Sequence, residues 1–329
     1  IISLTLSISL FLSIDTLRLG TKKSFFGNVK SGDLILGAKS GEIQLLLYSL
    51  FQIGSPTNNI SWESYEVFSK HKEVLWTIPI SLGDSHKQFR VLGTNNNYFK
   101  YFTYRNNKKL EFEHGEKLNE LFDVVIGNDV AKSLNYNLND NIIIAHGILS
   151  QSMHNEFPFK IKGILRKTGT SADRLVIVNL EALEVIHKDW KVGVKIPSKK
   201  KSRIEYENIN IDPKEITAAI VKIKSPIKIF KMQREINKYE FEPIQAVIPG
   251  IALSKLWELV SVTEKIMLTI SAMVIVSSLI GLIAILYSNL NNRRKEMALL
   301  RIVGASPINI FSLLVIEALI ISFISIVLS

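Results

Sequence analysis

The residues able to do chemistry are few, and their spacing does not suit it. The six histidines are His71, His86, His114, His146, His154 and His187, and there is no cysteine. His146, His154 and Glu156 are close enough in sequence to meet at a metal ion. No pair among them has the i, i+3 or i+4 spacing that puts two ligands on one helix face. A histidine that is merely polar accounts for each. Gly-x-Ser-x-Gly and His-Glu-x-x-His are both absent. Gly32-x4-Gly37-Ala38-Lys39-Ser40 approaches a phosphate-cradling loop, but Ala38 separates the glycine from the lysine, so the register fails. The expectation is a chain with no catalytic residue, no metal site and no cofactor of its own.

What remains is charge set between apolar runs. Ile266 to Tyr287 carries no charged residue, and Ile308 to Ser329 carries only Glu317. About 20 apolar residues at 1.5 Å each cross a hydrocarbon core of roughly 30 Å. Between the runs lies Asn291-Asn292-Arg293-Arg294-Lys295-Glu296-Met297-Ala298-Leu299-Leu300-Arg301-Ile302-Val303-Gly304-Ala305-Ser306-Pro307. A short basic link between two crossings is retained in the cytoplasm. No Gly or Pro interrupts Asn291 to Val303, which predicts a helix there. Gly304 is placed as its left-handed stop, and Ser306-Pro307 as the cap and first turn of the next helix. Arg294, Ala298 and Arg301 share one face; Met297, Leu300 and Val303 or Gly304 share another. A helix whose arginines snorkel to lipid phosphates fits this spacing as well as a docking helix does. Glu317 falls ten residues past Pro307, about 15 Å along a helix, where an ionisable group needs a partner. Ser277, Gly281, Ala284 and Ser288 form a small-residue seam suited to close helix packing.

The elements that would position these residues follow from the rest of the chain. Ile1 to Ile14 is apolar with no basic n-region or cleavage site, and reads as the end of a first transmembrane helix that starts before this sequence. The predicted fold class is α-helical transmembrane segments plus an α+β extracytoplasmic domain inserted between the first and second membrane helices. The expected divisions are 1–14 (first helix), 15–264 (domain), 265–288 (second helix), 289–307 (cytoplasmic link) and 308–329 (third helix). The domain holds 35 Lys and Arg against 28 Asp and Glu. That charge is spread rather than clustered, which excludes nucleic acid as a partner. Predicted strands begin at Asp33 and cover Val74–Leu82, Phe89–Thr94, Asp123–Gly127, Asn141–Ala145, Phe157–Leu165, Leu175–Val178, Ile216–Lys222 and Phe241–Ile248. Gly83 to Lys87 is read as the turn joining Val74–Leu82 to Phe89–Thr94. Predicted helices run from Ser61 to Lys70, from the cap Asn128 to Leu134, from Leu180 to His187, and from the cap Ser225 to Lys238. Another starts at Gly250 and continues without a breaker into the second membrane segment. Lys199-Lys200-Lys201-Ser202-Arg203 reads as a solvated loop.

Arg-Arg-Lys-Glu-Met-Ala-Leu-Leu-Arg-Ile-Val-Gly-Ala-Ser, followed by an apolar helix bearing Glu317, resembles the signature of FtsX/MacB/LolC-type ABC transporter permeases. Arg294, Lys295, Glu296, Ala298, Leu299, Leu300, Arg301, Gly304, Ala305 and Glu317 match; Met297 and Ile302-Val303 depart but stay apolar. Val125-Ile126-Gly127-x-x-Val130-Ala131-x-x-Leu134, followed by a turn and Lys160-Ile161-x-Gly163-Ile164-Leu165, resembles the MacB-like periplasmic core. The resemblance implies a multi-pass protein of the bacterial cell (inner) membrane with a fourth crossing after the third. It also implies that Arg293, Arg294, Glu296, Met297, Leu300, Arg301, Val303, Gly304 and Ala305 couple to a separate cytoplasmic ABC ATPase. ATP and Mg would be bound by that ATPase. The other implied partners are a second permease copy or paralogue, an extracytoplasmic protein and the lipid bilayer. Two functions fit: a permease that couples ATP hydrolysis to movement of its external domain, and a transducer that regulates an extracytoplasmic hydrolase without transport. A ligand sensor would carry a long cytoplasmic domain where only about 20 residues stand.

Overall fold

The computed structural model describes residues 5–16, 20, 32–105, 107–146, 157–188, 190–191, 194–195, 211–292 and 294–327. The chain forms two compact units, one of Ile1–Lys23 with Trp257–Ser329 and the other of Ser24–Leu256.

The larger unit is α+β and built on two sheets. One has the order Ile244–Val247, Leu34–Ala38, Ala218–Ile223, Val74–Ile80, with every neighbour antiparallel. Leu34–Ala38 is buried along its whole length, as a central strand covered on both faces must be. Leu34, Leu36, Ala219 and Ala246 pack with Phe68, Met232 and Ile236 of the helices Trp62–Ser69 and Ile229–Asn237. On the opposite face Ile35, Ile78, Ile80 and Ile220 pack with Leu92, Val125 and Ile177 of the second sheet. That sheet is mixed, with Leu175–Asn179 between Asp123–Ile126 and Phe89–Thr94. Its far face closes against the helices Asn128–Leu134 and Leu180–His187.

Several local predictions hold. Ser61 Oγ accepts from the amide of Ser64 and caps Trp62–Ser69, and Leu180–His187 has the bounds expected of it. Other expectations are corrected. Val74–Ile80 does not form a hairpin with Phe89–Thr94; it pairs with Ala218–Ile223, and just beyond it an isolated bridge joins Ser81 to Gly93. The hairpin partner of Phe89–Thr94 is Asp84–His86, read from sequence as turn, with Lys87 at φ 53 making the bend. Asn128 is the first helical residue rather than the cap, and its amide donates to Glu113 Oε2 at 2.6 Å. Asn141–Ala145 divides into Asn141–Ile142 and Ala145–His146, which lie on different strands of the sheet. Ser225 makes no side-chain cap, and a short 3-10 turn, Pro226–Lys228, precedes Ile229–Asn237. The last strand is only Ile244–Val247.

Three polar arrangements tie the unit together. His86 bonds the carbonyl of Ile143 through Nδ1 at 2.7 Å and the Tyr136 hydroxyl through Nε2 at 2.9 Å. Burial, and then the nearby Lys87, hold the imidazole below its ordinary pKa, which favours the neutral form this bridge uses. Asp173 is 2% exposed and accepts from Thr168 N (2.7 Å), Thr168 Oγ1 (2.8 Å) and Gly169 N (2.7 Å). The turn it holds presses on Gly127, where a Cβ would stand 2.3 Å from the carbonyl oxygens of Ala172 and Asp173. At the edge strand Ile244–Val247, Asn237 Oδ1 accepts from Ala246 N at 2.6 Å and Gln233 Nε2 donates to Ala246 O at 3.1 Å. These amides, one helical turn apart, occupy the place of a further strand.

A single helix, Pro249–Asn292, follows the last strand, with Ala252 and Leu253 buried in the core at its start. Its Pro249–Ile285 portion is, among the described residues, the one helix long and apolar enough to cross a membrane. The apolar helices Thr5–Thr16 and Pro307–Val327 belong to the same unit as its later part.

Candidate coupling site at the basic link

The link is built from three adjoining helices. Nothing in Ser288–Asn292 breaks a helix, and Pro249–Asn292 and Arg294–Ile302 are helical on either side of Arg293. The expected helix from Asn291 to Val303 is helical at every described residue as far as Ile302. Arg293 lies outside the described residues, and Arg294 and Glu296 lie in the helix Arg294–Ile302.

The stop is the one anticipated, and its bonds are explicit. Gly304 has φ +98; its amide donates to Arg301 O at 3.1 Å, and the Ala305 amide donates to Leu300 O at 2.9 Å. These are the two bonds of a Schellman motif, which satisfies the last carbonyls of the helix. No heavy atom lies within 4 Å of a Cβ built at Gly304, so the requirement for glycine is conformational rather than steric. Gly304→Val is expected to strain this turn by about 1–3 kcal/mol, and Gly304→Asn by much less. Trypsin cleavage after Arg301 in inverted vesicles should accelerate for the valine variant alone. Equal rates would show that the turn does not depend on a left-handed residue. Beyond it, Ser306 Oγ accepts from Asn309 N at 3.3 Å and Pro307 opens the helix Pro307–Val327, as the cap reading requires.

The short helix presents more apolar surface than the three-residue stripe predicted. Met297 is half-buried and Leu300 is 43% exposed, while Val303 is 86% exposed. Leu299 and Ile302, which the facial reading passed over, are also exposed, as is Arg301. Their own i, i+3 spacing was the available signal. Glu317 is half-buried on the following helix.

Ser277, Gly281, Ala284 and Ser288 are each exposed, and nothing lies within 4 Å of a Cβ built at Gly281. Packing within the chain uses another line on the same helix. Ser271 is 1% exposed, and Ser278 Oγ lies 2.8 Å from Ser7 Oγ of Thr5–Thr16. A seven-residue spacing, 271 to 278, with Leu268, Ile275 and Leu282 interleaved, is the signal that marks this seam.

The other sequence candidates do not assemble a site. Gly37 lies in the strand Leu34–Ala38, where a Cβ would stand 2.6 Å from Leu45, so Gly32 to Ser40 is no open phosphate loop. His154 and Glu156, and the basic run Lys199 to Arg203, lie outside the described residues. Among the described residues no three His, Asp or Glu side chains gather as metal ligands.

Comparison with known proteins settles the setting of these elements. The profile of the MacB-like periplasmic core domain matches residues 1–239, and that of the FtsX-like permease C-terminal region matches residues 268–329. The chain belongs to the FtsX-like permeases with a MacB-like periplasmic core domain. Members are membrane components of ABC transporters, generally non-catalytic, that work with an ATPase and dimerise. No curated protein matches this permease. Its structure is similar to the extracellular domain of the noncanonic ABC-type transporter YknZ from Gram-positive bacteria, at 13% identity and TM-score 0.38, covering 65% of this chain and 98% of that one. It is also similar to the periplasmic region of MacB from Actinobacillus actinomycetemcomitans, at 11% identity and TM-score 0.43, covering 70% of this chain and 97% of that one.

Proposed function

We propose that this permease transmits the work of a separate cytoplasmic ATPase to its extracytoplasmic domain. The ATPase docks on Arg294–Ile302, and its closure displaces the link. The long helix Pro249–Asn292 carries that displacement to the domain, which moves a substrate across or out of the membrane. Met297, Leu300 and Val303, extended by Leu299 and Ile302, are the buried anchors of the docked state. Arg293, Arg294, Glu296 and Arg301 set register at the rim, while Gly304 and Ala305 fix where the helix stops. The observation that carries this reading is exposed leucine, isoleucine and valine on a short basic helix that a Schellman turn joins to an apolar one. Exposed apolar side chains of this kind mark an interaction site. ATP and Mg belong to the ATPase. Glu317 faces the helix bundle, and Ser277, Gly281, Ala284 and Ser288 pack against a second permease copy.

The topology this requires is a multi-pass one with the link inside the cell. In intact cells a cysteine at Ser306→Cys is expected to resist an impermeant thiol reagent, and one at the exposed Ser55→Cys to react fully. Labelling of Ser306→Cys with protection of Ser55→Cys would reverse the orientation and remove the ATPase from reach of the link.

A further inference from the structure

In the larger unit residues 55–59 lie beside the strands Asp84–His86 and Phe89–Thr94. A cavity of about 690 Å³ lies there, lined by Ser55, Thr57, Asn58, Asn59, Asp84 and Arg90 among others. That volume is in the range of small-ligand sites. Arg90 and Leu92 alternate with Phe89 and Val91 along one strand, so they project from the same face. Leu92 is fully buried between the sheets, whereas Phe89 and Val91 pack on the far side. Arg90 is thus an arginine on a core-facing position, half-buried and turned into the cavity. Among the described residues no carboxylate pairs with its guanidinium.

The acids nearby are engaged elsewhere. Asp84, 7% exposed in the cavity wall, meets His187 Nε2 at 3.2 Å. An adjoining cavity of about 360 Å³ shares Asn59, Leu82, Gly83 and Asp84 and adds Glu184, Lys214 and Glu215. There Lys214 pairs with Glu184 at 2.8 Å, and Glu215 accepts from Asn59 Nδ2 at 2.6 Å. A half-buried guanidinium is partly desolvated and attracts an anion, and its planar fork matches a carboxylate with two parallel hydrogen bonds.

We propose that this pocket is a ligand site for a short peptide with a free C-terminus, whose carboxylate is the counter-ion of Arg90. The hydroxyls of Ser55 and Thr57 and the amide of Asn58 line the rest of the pocket and suit the polar groups of a peptide backbone. The site stands whether or not an ATPase moves the domain.

Full-length permease in lipid nanodiscs, titrated calorimetrically, provides the test. The probes are trialanine, trialanine C-terminal amide and inorganic phosphate. Trialanine is expected to bind at least about tenfold more tightly than its amide, the loss that follows from removing one charge-assisted pair. Arg90→Ala should abolish trialanine binding, and Arg90→Lys should retain part of it. Arg90→Gln, close to arginine in shape at the cavity wall, answers the same question if the alanine variant does not fold. Equal affinity for trialanine and its amide overturns the proposal, as does unchanged binding by Arg90→Gln. So does binding of phosphate alone, or of none of the three up to about 10 mM.

Discussion

Leu300→Asp is expected to strip the ATPase from this permease while leaving the permease in the membrane. Leu300 sits in the last turn of Arg294–Ile302 among exposed apolar side chains, with Leu299 and Val303 beside it. Truncating a buried anchor at such a contact costs about 1–3 kcal/mol or more, and an aspartate adds a charge taken out of water. Together these exceed the tenfold per 1.4 kcal/mol that a pull-down resolves easily. Arg294→Gln with Arg301→Gln is the matched control. Rim charges act mainly on association rate and salt dependence, so this pair should retain most of the ATPase at low salt. Recovery of the ATPase is measured for both after purification from native membranes. Should Leu300→Asp keep its ATPase while the double glutamine variant loses it, the link works through charge on lipid or partner, and the docking role fails.

The second large effect lies in the domain. Asp173→Ala removes the carboxylate that gathers Thr168 N, Thr168 Oγ1 and Gly169 N, and Thr168 is itself only 6% exposed. Orphaned donors cost about 1–3 kcal/mol each where water cannot reach them, so a loss of about 3–5 kcal/mol is expected. For a unit of this size that lowers the unfolding temperature by roughly 10 °C. Asp173→Asn keeps one accepting oxygen and should fall between. Thermal melting of the full chain in nanodiscs, followed by the domain's β-sheet signal, measures both. A shift of only about 1 °C for Asp173→Ala would mean that Thr168 and Gly169 find water and that the turn stands without its carboxylate.

What the sequence disclosed was mostly local physics. The cap at Ser61, the stop at Gly304 and the Ser306-Pro307 start each depend on residues within one turn, and all three are in the structure. Sheet partners were another matter. Val74–Ile80 and Phe89–Thr94 are adjacent in sequence and look like a hairpin. The bonds of the first go to Ala218–Ile223, far along the chain, because burial on both faces rather than nearness selects the partner. Asp84–His86 was hidden by its polarity: a strand carrying Asp, Ser and His has no apolar alternation, yet all three are buried. The same limit applies to Arg90, which looks like any charged strand residue until the alternation of its neighbours is set against the two cores. The basic link was legible because charge, helix formers and glycine agree there.

The amides of Asn237 and Gln233 on Ala246 have a consequence for how other proteins meet this domain. An open strand edge is adhesive to any extended chain, and a protein exported unfolded passes through a crowd of them. Here a helix turns two side chains into a counterfeit neighbour, so a passing strand finds the Ala246 donor and acceptor already taken. Recognition at this flank must therefore run through side chains and shape, which discriminate between partners, rather than through backbone pairing, which does not.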